Sequence, residues 1–132
     1  MERVAEFIKE TYPESSKIVE VGVGRNTTVA RLLNPCFNLV VTDVELRDFE
    51  DLNFVRDDIT NPSLSVYEGA SLIYSVRPPY ELHDDLLKVA RKVGADLLIV
   101  PLGNEESSLD YELVNYEGKV MYLIRTNGDN YI

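Results

Sequence analysis

Between residues 18 and 100, short and nearly continuous apolar runs alternate with stretches of helical periodicity, and this alternation leaves few folds open. A run that is apolar at successive positions has lost the in–out alternation of a half-exposed strand, so it must be covered on both faces. Ile18-Val19-Glu20-Val21, Phe37 to Thr42, Asn53 to Arg56, Ala70 to Ser75 and Asp96 to Val100 read as such strands. The helical stretches lie before and between them. Val4, Phe7, Ile8 and Thr11 share one stripe, which predicts a helix over 2–12 that Pro13 ends. Asn26 or Thr27 can cap a second helix that turns Val29, Leu32 and Leu33 inward and stops at Pro35. Leu82, Leu86, Val89, Ala90 and Val93 form the longest stripe, predicting a helix over 81–93 that Gly94 terminates.

The last part differs in kind. Tyr111 to Tyr116 and Lys119 to Thr126 are strand-like and separated only by Glu117-Gly118. So short a gap requires antiparallel neighbours, because a parallel crossover needs a dozen or more residues. The expected architecture is α/β: a three-layer sandwich around a mostly parallel sheet, with a C-terminal antiparallel hairpin and few helices on one face. Residues 1–126 form one domain in this reading, and 127–132 a tail. The connections Asp43 to Leu52 and Asp57 to Gly69 hold one or two helical turns at most, and Pro101 to Asp110 has no room for a full helix. One face is therefore expected to be covered well only by helix 81–93. Apolar sheet exposed there implies a homodimer or another protein partner.

Thirteen basic and 23 acidic residues give a net charge of −10, which repels a phosphate backbone and disfavours autonomous nucleic-acid binding. Cys36 is the only cysteine, so neither an intrachain disulfide nor a cysteine-cluster metal site is expected. No His/Cys/carboxylate spacing suggests a metal. Met1 to Glu6 lacks the apolar core of a signal peptide, and runs such as Leu97 to Leu102 are too short to span a bilayer. The expectation is a cytoplasmic protein without membrane contact.

Glu20-Val21-Gly22-Val23-Gly24-Arg25-Asn26, at a strand end opening a helix, is the most informative segment. Glycines let backbone approach a ligand, and the first turn of a helix offers unpaired N–H groups. Asp43 ends the next strand, 21 residues after Gly22, where a carboxylate can accept the two hydroxyls of a ribose lying across the loop. The same residues admit two alternatives. The glycines can merely permit close strand–helix packing beside a solvated Asp43. A nicotinamide dinucleotide also uses Gly-x-Gly plus a distant acid. Against the dinucleotide stands Glu20, whose charge, directed at the loop, suits ammonium and sulfonium groups better than a pyrophosphate. Thr27 also replaces the third, close-packing glycine.

Val19 to Asn26 resembles the first motif of class I S-adenosylmethionine-dependent methyltransferases, in which an acidic residue stands just before Gly-x-Gly. Asn26 occupies a position often held by glycine in that family and is expected to adopt positive φ. The resemblance implies a Rossmann-like sheet with S-adenosylmethionine as cofactor, held by Glu20, Gly22, Gly24, Asn26 and the ribose acid Asp43. Asp57-Asp58-Ile59 resembles the motif that meets the adenine amino group, with Asp57 favoured over Asp58. Ser75, closing the fourth strand, completes the set. Arg77-Pro78-Pro79-Tyr80 resembles the Asn/Asp-Pro-Pro-Tyr motif of amino-group methyltransferases. The whole pattern is also similar to a group of small uncharacterised archaeal proteins with this fold.

Arg77 departs from that motif in its chemistry. The Asn or Asp of the related enzymes accepts a hydrogen bond from the target amine, whereas guanidinium only donates and stays charged. Arg77 can instead hold a carboxylate or phosphate on a substrate, with Tyr80 stacking on a planar one. A rigid helix-entry turn with an exposed arginine is the plainer alternative. His83, the sole histidine, is a conceivable general base, although the neighbouring Glu81, Asp84 and Asp85 look like ordinary first-turn acids. Cys36 reads as a packed residue, and Glu45, Asp48, Glu50 and Asp51 as a solvated face. Two functions follow: a methyltransferase of unspecified acceptor, or a non-catalytic cofactor-binding module that acts through a partner.

Overall fold

The computed structural model describes residues 1–103 and 105–126; the expected tail at 127–132 lies outside them. In chain order the elements are α1 (Glu2–Thr11), β1 (Lys17–Val21), α2 (Thr28–Leu33), β2 (Asn38–Asp43), β3 (Phe54–Arg56), β4 (Ala70–Val76), α3 (His83–Val93), β5 (Asp96–Val100), β6 (Glu112–Tyr116) and β7 (Lys119–Ile124). Single 3₁₀ turns stand at Leu64–Val66 and Tyr80–Leu82. The strands form one sheet in the order β3-β2-β1-β4-β5-β7-β6. The first five pair in parallel, while β7 runs antiparallel to both β5 and β6.

Helix ends follow their local chemistry. Tyr12 turns to extended backbone after α1 and donates its N–H to the Ile8 carbonyl, one residue before Pro13. Asp84 and Asp85 begin α3 and Arg91 and Lys92 end it, each on the favourable side of the helix dipole. Gly94, left-handed at φ 74°, closes that helix, and the Ala95 N–H reaches back to the Ala90 carbonyl.

The two faces of the sheet are covered unequally. On one, Val4, Ala5 and Ile8 of α1 and Val29, Ala30 and Leu33 of α2 pack over Ile18, Leu39, Val41, Leu72 and Leu98. Ala30 takes the inward place expected of Leu32, which is 37% exposed: α2 is rotated so that the stripe Val29, Ala30 and Leu33 meets the sheet. On the other face Leu86, Val89 and Ala90 of α3 cover Val19, Ile73, Leu97 and Ile99.

The apolar sheet expected to lie bare on that second face is closed. Ile59 and Tyr67 from the β3–β4 connection extend the cover on one side, and Leu109 and Tyr111 from the β5–β6 connection extend it on the other. Tyr111 stacks on Tyr122 with ring centroids 4.1 Å apart. Connections too short for helices can still bring in large side chains. Exposure remains at the edge strand, where Leu113 is 61% exposed.

Candidate functional site

The order β3-β2-β1-β4-β5 reverses direction between β1 and β4. In open α/β sheets the crevice outside the carboxyl ends of strands at such a reversal is where ligands bind. Gly22 and Gly24 lie at the carboxyl end of β1, Asp43 at that of β2, Asp57 and Asp58 after β3, and Ser75 and Arg77 at the end of β4.

Gly22 and Gly24 take φ of 74° and 57°, a region that side chains with a Cβ rarely occupy. The Gly22 and Val23 N–H groups donate to the Thr42 carbonyl at 3.0 and 2.9 Å, which folds the loop over the end of β2. The Gly24 N–H donates to Asp43 Oδ2 at 2.8 Å. Loop and acid therefore face each other. Gly22 is exposed at the rim, Asp43 is buried, and Asp43 Oδ1 accepts the Glu45 N–H at 3.1 Å. Asn26 does not adopt positive φ. Its side chain accepts the Thr28 N–H at 3.1 Å at the start of α2, and Gly24 supplies the left-handed backbone instead.

Glu20 does not offer its charge to the rim. It lies 1% exposed opposite Tyr74 in the β1–β4 register, and the Tyr74 hydroxyl donates to Oε1 at 2.5 Å. A side chain two residues before the loop projects onto the face of the sheet, because strand side chains alternate. Burial pushes its carboxyl up to about 7, the Tyr74 hydrogen bond pulling the other way. Burial also pushes the Tyr74 hydroxyl well above its ordinary range, with Glu20 adding to the effect.

The two aspartates after β3 differ in setting. Asp57 is committed internally, accepting the Ser63 N–H at 3.0 Å and the Tyr67 hydroxyl at 2.6 Å, and so closes the β3–β4 connection on itself. Burial foremost, then Asp57, raises the Tyr67 hydroxyl. Asp58 stays at the surface, its Oδ1 held by the Thr60 N–H and hydroxyl, which lower its carboxyl below the usual range.

Ser75 Oγ donates to the Val21 carbonyl at 2.8 Å and sits where a Cβ on Gly22 would approach it at 4.0 Å. Arg77 is exposed and left-handed at φ 54°, with its N–H on the Val100 carbonyl at 2.7 Å. That backbone region is enriched in Asn and Asp among non-glycine residues, and it is strained for arginine before proline. Tyr80 is half-exposed, its ring 5.4 Å from that of His83. His83 is 2% exposed with Nδ1 2.9 Å from Ser107 Oγ, and so ties the β5–β6 connection to α3. Its ring lies beneath Tyr80 rather than open at the rim.

One residue at the rim escaped the sequence reading. Arg47 follows Asp43 by four positions, and its Nε lies 3.5 Å from Asp43 Oδ2, with Nη2 3.3 Å from Glu45. That Nε is buried without a hydrogen-bond partner. The only signal for it in the sequence was a cation four residues beyond the strand-end acid. Val44, Leu46, Tyr80 and Leu102, all more than half exposed, occupy loops at this same end of the sheet.

Between the ends of β1 and β4 lies a hollow of about 80 Å³ lined by Val21, Gly22, Ser75, Arg77, Pro79 and Leu82. A pocket that encloses a cofactor-sized ligand holds roughly 300 Å³ or more, so this hollow receives only part of one. A larger hollow of about 280 Å³ separates α3 from Ile59 to Leu64, but no strand-end acid or glycine bend lines it. Among the described residues no three His, Cys, Asp or Glu side chains converge as metal ligands, and no helix is long and apolar enough to cross a membrane.

Solved structures that share this architecture include methyltransferases. An rRNA methylase from Streptococcus thermophilus superposes with a TM-score of 0.61 at 15% identity, covering 92% of this chain and 91% of its own. A TehB-like SAM-dependent methyltransferase from Corynebacterium glutamicum gives 0.61 at 15% identity over 93% and 86% of the two chains. At such identity the likeness establishes the fold, that of the class I S-adenosylmethionine-dependent methyltransferases. Closer in sequence are an Archaeoglobus fulgidus protein, 50% identical over 95% of each chain, and a Methanocaldococcus jannaschii protein, 39% identical over 91% of this chain and 93% of its own. Both are named as UPF0146 proteins. Residues 1–126 match the model of the Uncharacterised protein family (UPF0146), and the chain belongs to that family.

Proposed function

We propose that this protein binds S-adenosylmethionine across the carboxyl rim of β1, β2 and β4 and is a methyltransferase-like protein. The observation that carries the reading is the bond from the Gly24 N–H to Asp43 Oδ2, which joins a left-handed glycine bend to a buried strand-end carboxylate at the sheet reversal. The donor set suits the cofactor. Exposed backbone at Gly22 permits close approach, and Asp43 retains acceptor capacity beyond its two backbone bonds, since a carboxylate offers about four lone-pair sites. The hollow beside Ser75 takes one part of the ligand, and the remainder lies along the open rim. When bound, the cofactor supplies an electrophilic methyl group; the residues of the chain hold and orient it.

Arg77 favours a second reading, a non-catalytic module acting through a partner. The Pro-Pro-Tyr turn keeps a left-handed residue before it, but the side chain there has no acceptor with which to aim an amine. Isothermal titration with S-adenosylmethionine and S-adenosylhomocysteine separates these readings when joined to a transfer assay on small acceptors. Binding with turnover supports the enzyme, and binding without turnover supports the module. Absence of binding by either ligand removes both.

A further inference from the structure

The hollow of about 280 Å³ between α3 and the β3–β4 connection shares no lining residue with the one beside Ser75. Its floor is apolar, formed by the buried Ile59 and Val89. Asp85, Lys88, Val89 and Lys92 fall at i, i+3, i+4 and i+7 on α3, so a single helical stripe makes one wall. Asn61, Pro62 and Leu64 make the other. The charges on the helical wall are uncompensated. Asp84 and Asp85 stand four and three residues before Lys88, spacings at which an acid commonly pairs with a lysine. Yet among the described residues neither Lys88 nor Lys92 has an ion pair or a hydrogen bond. One turn apart, the two ammonium groups repel each other. In a chain of net charge −10 carboxylates are the abundant counter-ions, so two unpaired lysines beside a concavity make a local positive field in an acidic surface.

We infer that this groove binds a small phosphorylated metabolite, its phosphate held between Lys88 and Lys92 and its hydroxyl-bearing end at Asp85. A phosphate monoester carries nearly two negative charges at neutral pH and three acceptor oxygens. Two ammonium groups and the Asn61 amide, which has no side-chain partner among the described residues, match that charge and that number of acceptors. Helical side chains lean toward the N-terminus, so both lysines reach along the groove and away from the negative end of the helix dipole. Asp85 sets the orientation. It repels the phosphate and, ionised, accepts only from a donor. The seven residues from Asp85 to Lys92 span about 10 Å of helix, roughly the reach of a sugar phosphate. The site is separate from the S-adenosylmethionine rim and does not depend on that reading.

The test is an amide-resolved NMR titration with inorganic phosphate, ribose 5-phosphate and ribose. The expected result is saturable shifts at Asn61, Lys88 and Lys92, with ribose 5-phosphate bound about tenfold more tightly than inorganic phosphate and ribose without effect. Both lysines are exposed, and Lys88→Gln and Lys92→Gln are each expected to weaken ribose 5-phosphate about tenfold while leaving the thermal midpoint in place. Asp85→Asn tightens inorganic phosphate by removing a like charge. Equal affinity for phosphate and its ester means an adventitious ion only and overturns the inference. So does binding that survives loss of both lysines, a response centred on Gly22 and Gly24, or no saturable shift at all. S-adenosylhomocysteine, followed at Gly22 and Gly24 in the same spectra, tests the rim separately, so either reading can fail alone.

Discussion

Glu20 makes the stability of this protein depend on pH in a direction opposite to that of most carboxylates. Its folded-state pKa is raised from 4.5 to about 7, chiefly by burial. The folded state therefore holds the proton more tightly than the unfolded chain. The stability this contributes is complete below the unfolded value and is lost as pH rises through the folded one. At 1.36 kcal/mol per pKa unit the shift amounts to roughly 3 kcal/mol, most of it lost between pH 5 and pH 8. Glu20→Gln keeps a carbonyl to accept from the Tyr74 hydroxyl and removes the ionisation. Urea unfolding of both proteins at half-unit steps from pH 5 to 8 gives the difference, in which the contributions of all other groups cancel. Wild type is expected to lose about 2–3 kcal/mol relative to the variant across that range. Parallel profiles refute the reasoning, and Glu20 is then ionised in the fold at neutral pH.

Further outcomes follow from the same geometry. Asp43→Ala abolishes measurable S-adenosylhomocysteine binding by calorimetry and also loosens the glycine bend, read as faster amide exchange at Gly24, because that N–H loses its acceptor. Arg77→Asn relieves left-handed strain while the backbone bond to Val100 persists, raising stability by about 1 kcal/mol in urea unfolding. Asp57→Ala frees the Ser63 N–H and the Tyr67 hydroxyl together and costs about 2 kcal/mol, with faster exchange at the Ser63 amide. Leu86→Ala opens a cavity beneath the one helix on its face and costs about 2–5 kcal/mol.

The apolar runs at Ile18–Val21 and Leu97–Val100 announce strands buried on both sides, and β5 is buried at all five positions. Such runs are legible because one-dimensional hydrophobicity is enough to demand a covered sheet. The Glu117-Gly118 gap dictates an antiparallel hairpin for a similarly local reason. Leu32 shows the limit. Both 29/32/33 and 29/30/33 make one helical stripe, and only packing decides the rotation that turns the smaller Ala30 to the sheet. The cover supplied by Tyr67 and Leu109 is invisible to periodicity, since loop side chains have no period.

The candidate site divides along the same line. The glycine bend and the acid on the next strand were set by spacing along the chain, because a parallel sheet places consecutive strand ends side by side. What each carboxylate does there was decided by the assembled fold. Glu20 turned to Tyr74, Asp57 closed its own connection, and His83 settled on Ser107. Arg47 came to lie against Asp43 although no helix joins them. Hydrogen bonds among distant or irregular segments depend on angles and burial that exist only once the chain has packed. The sequence therefore determined where charge and glycine meet, and tertiary structure alone decided which of those charges is buried, bonded or left at the surface.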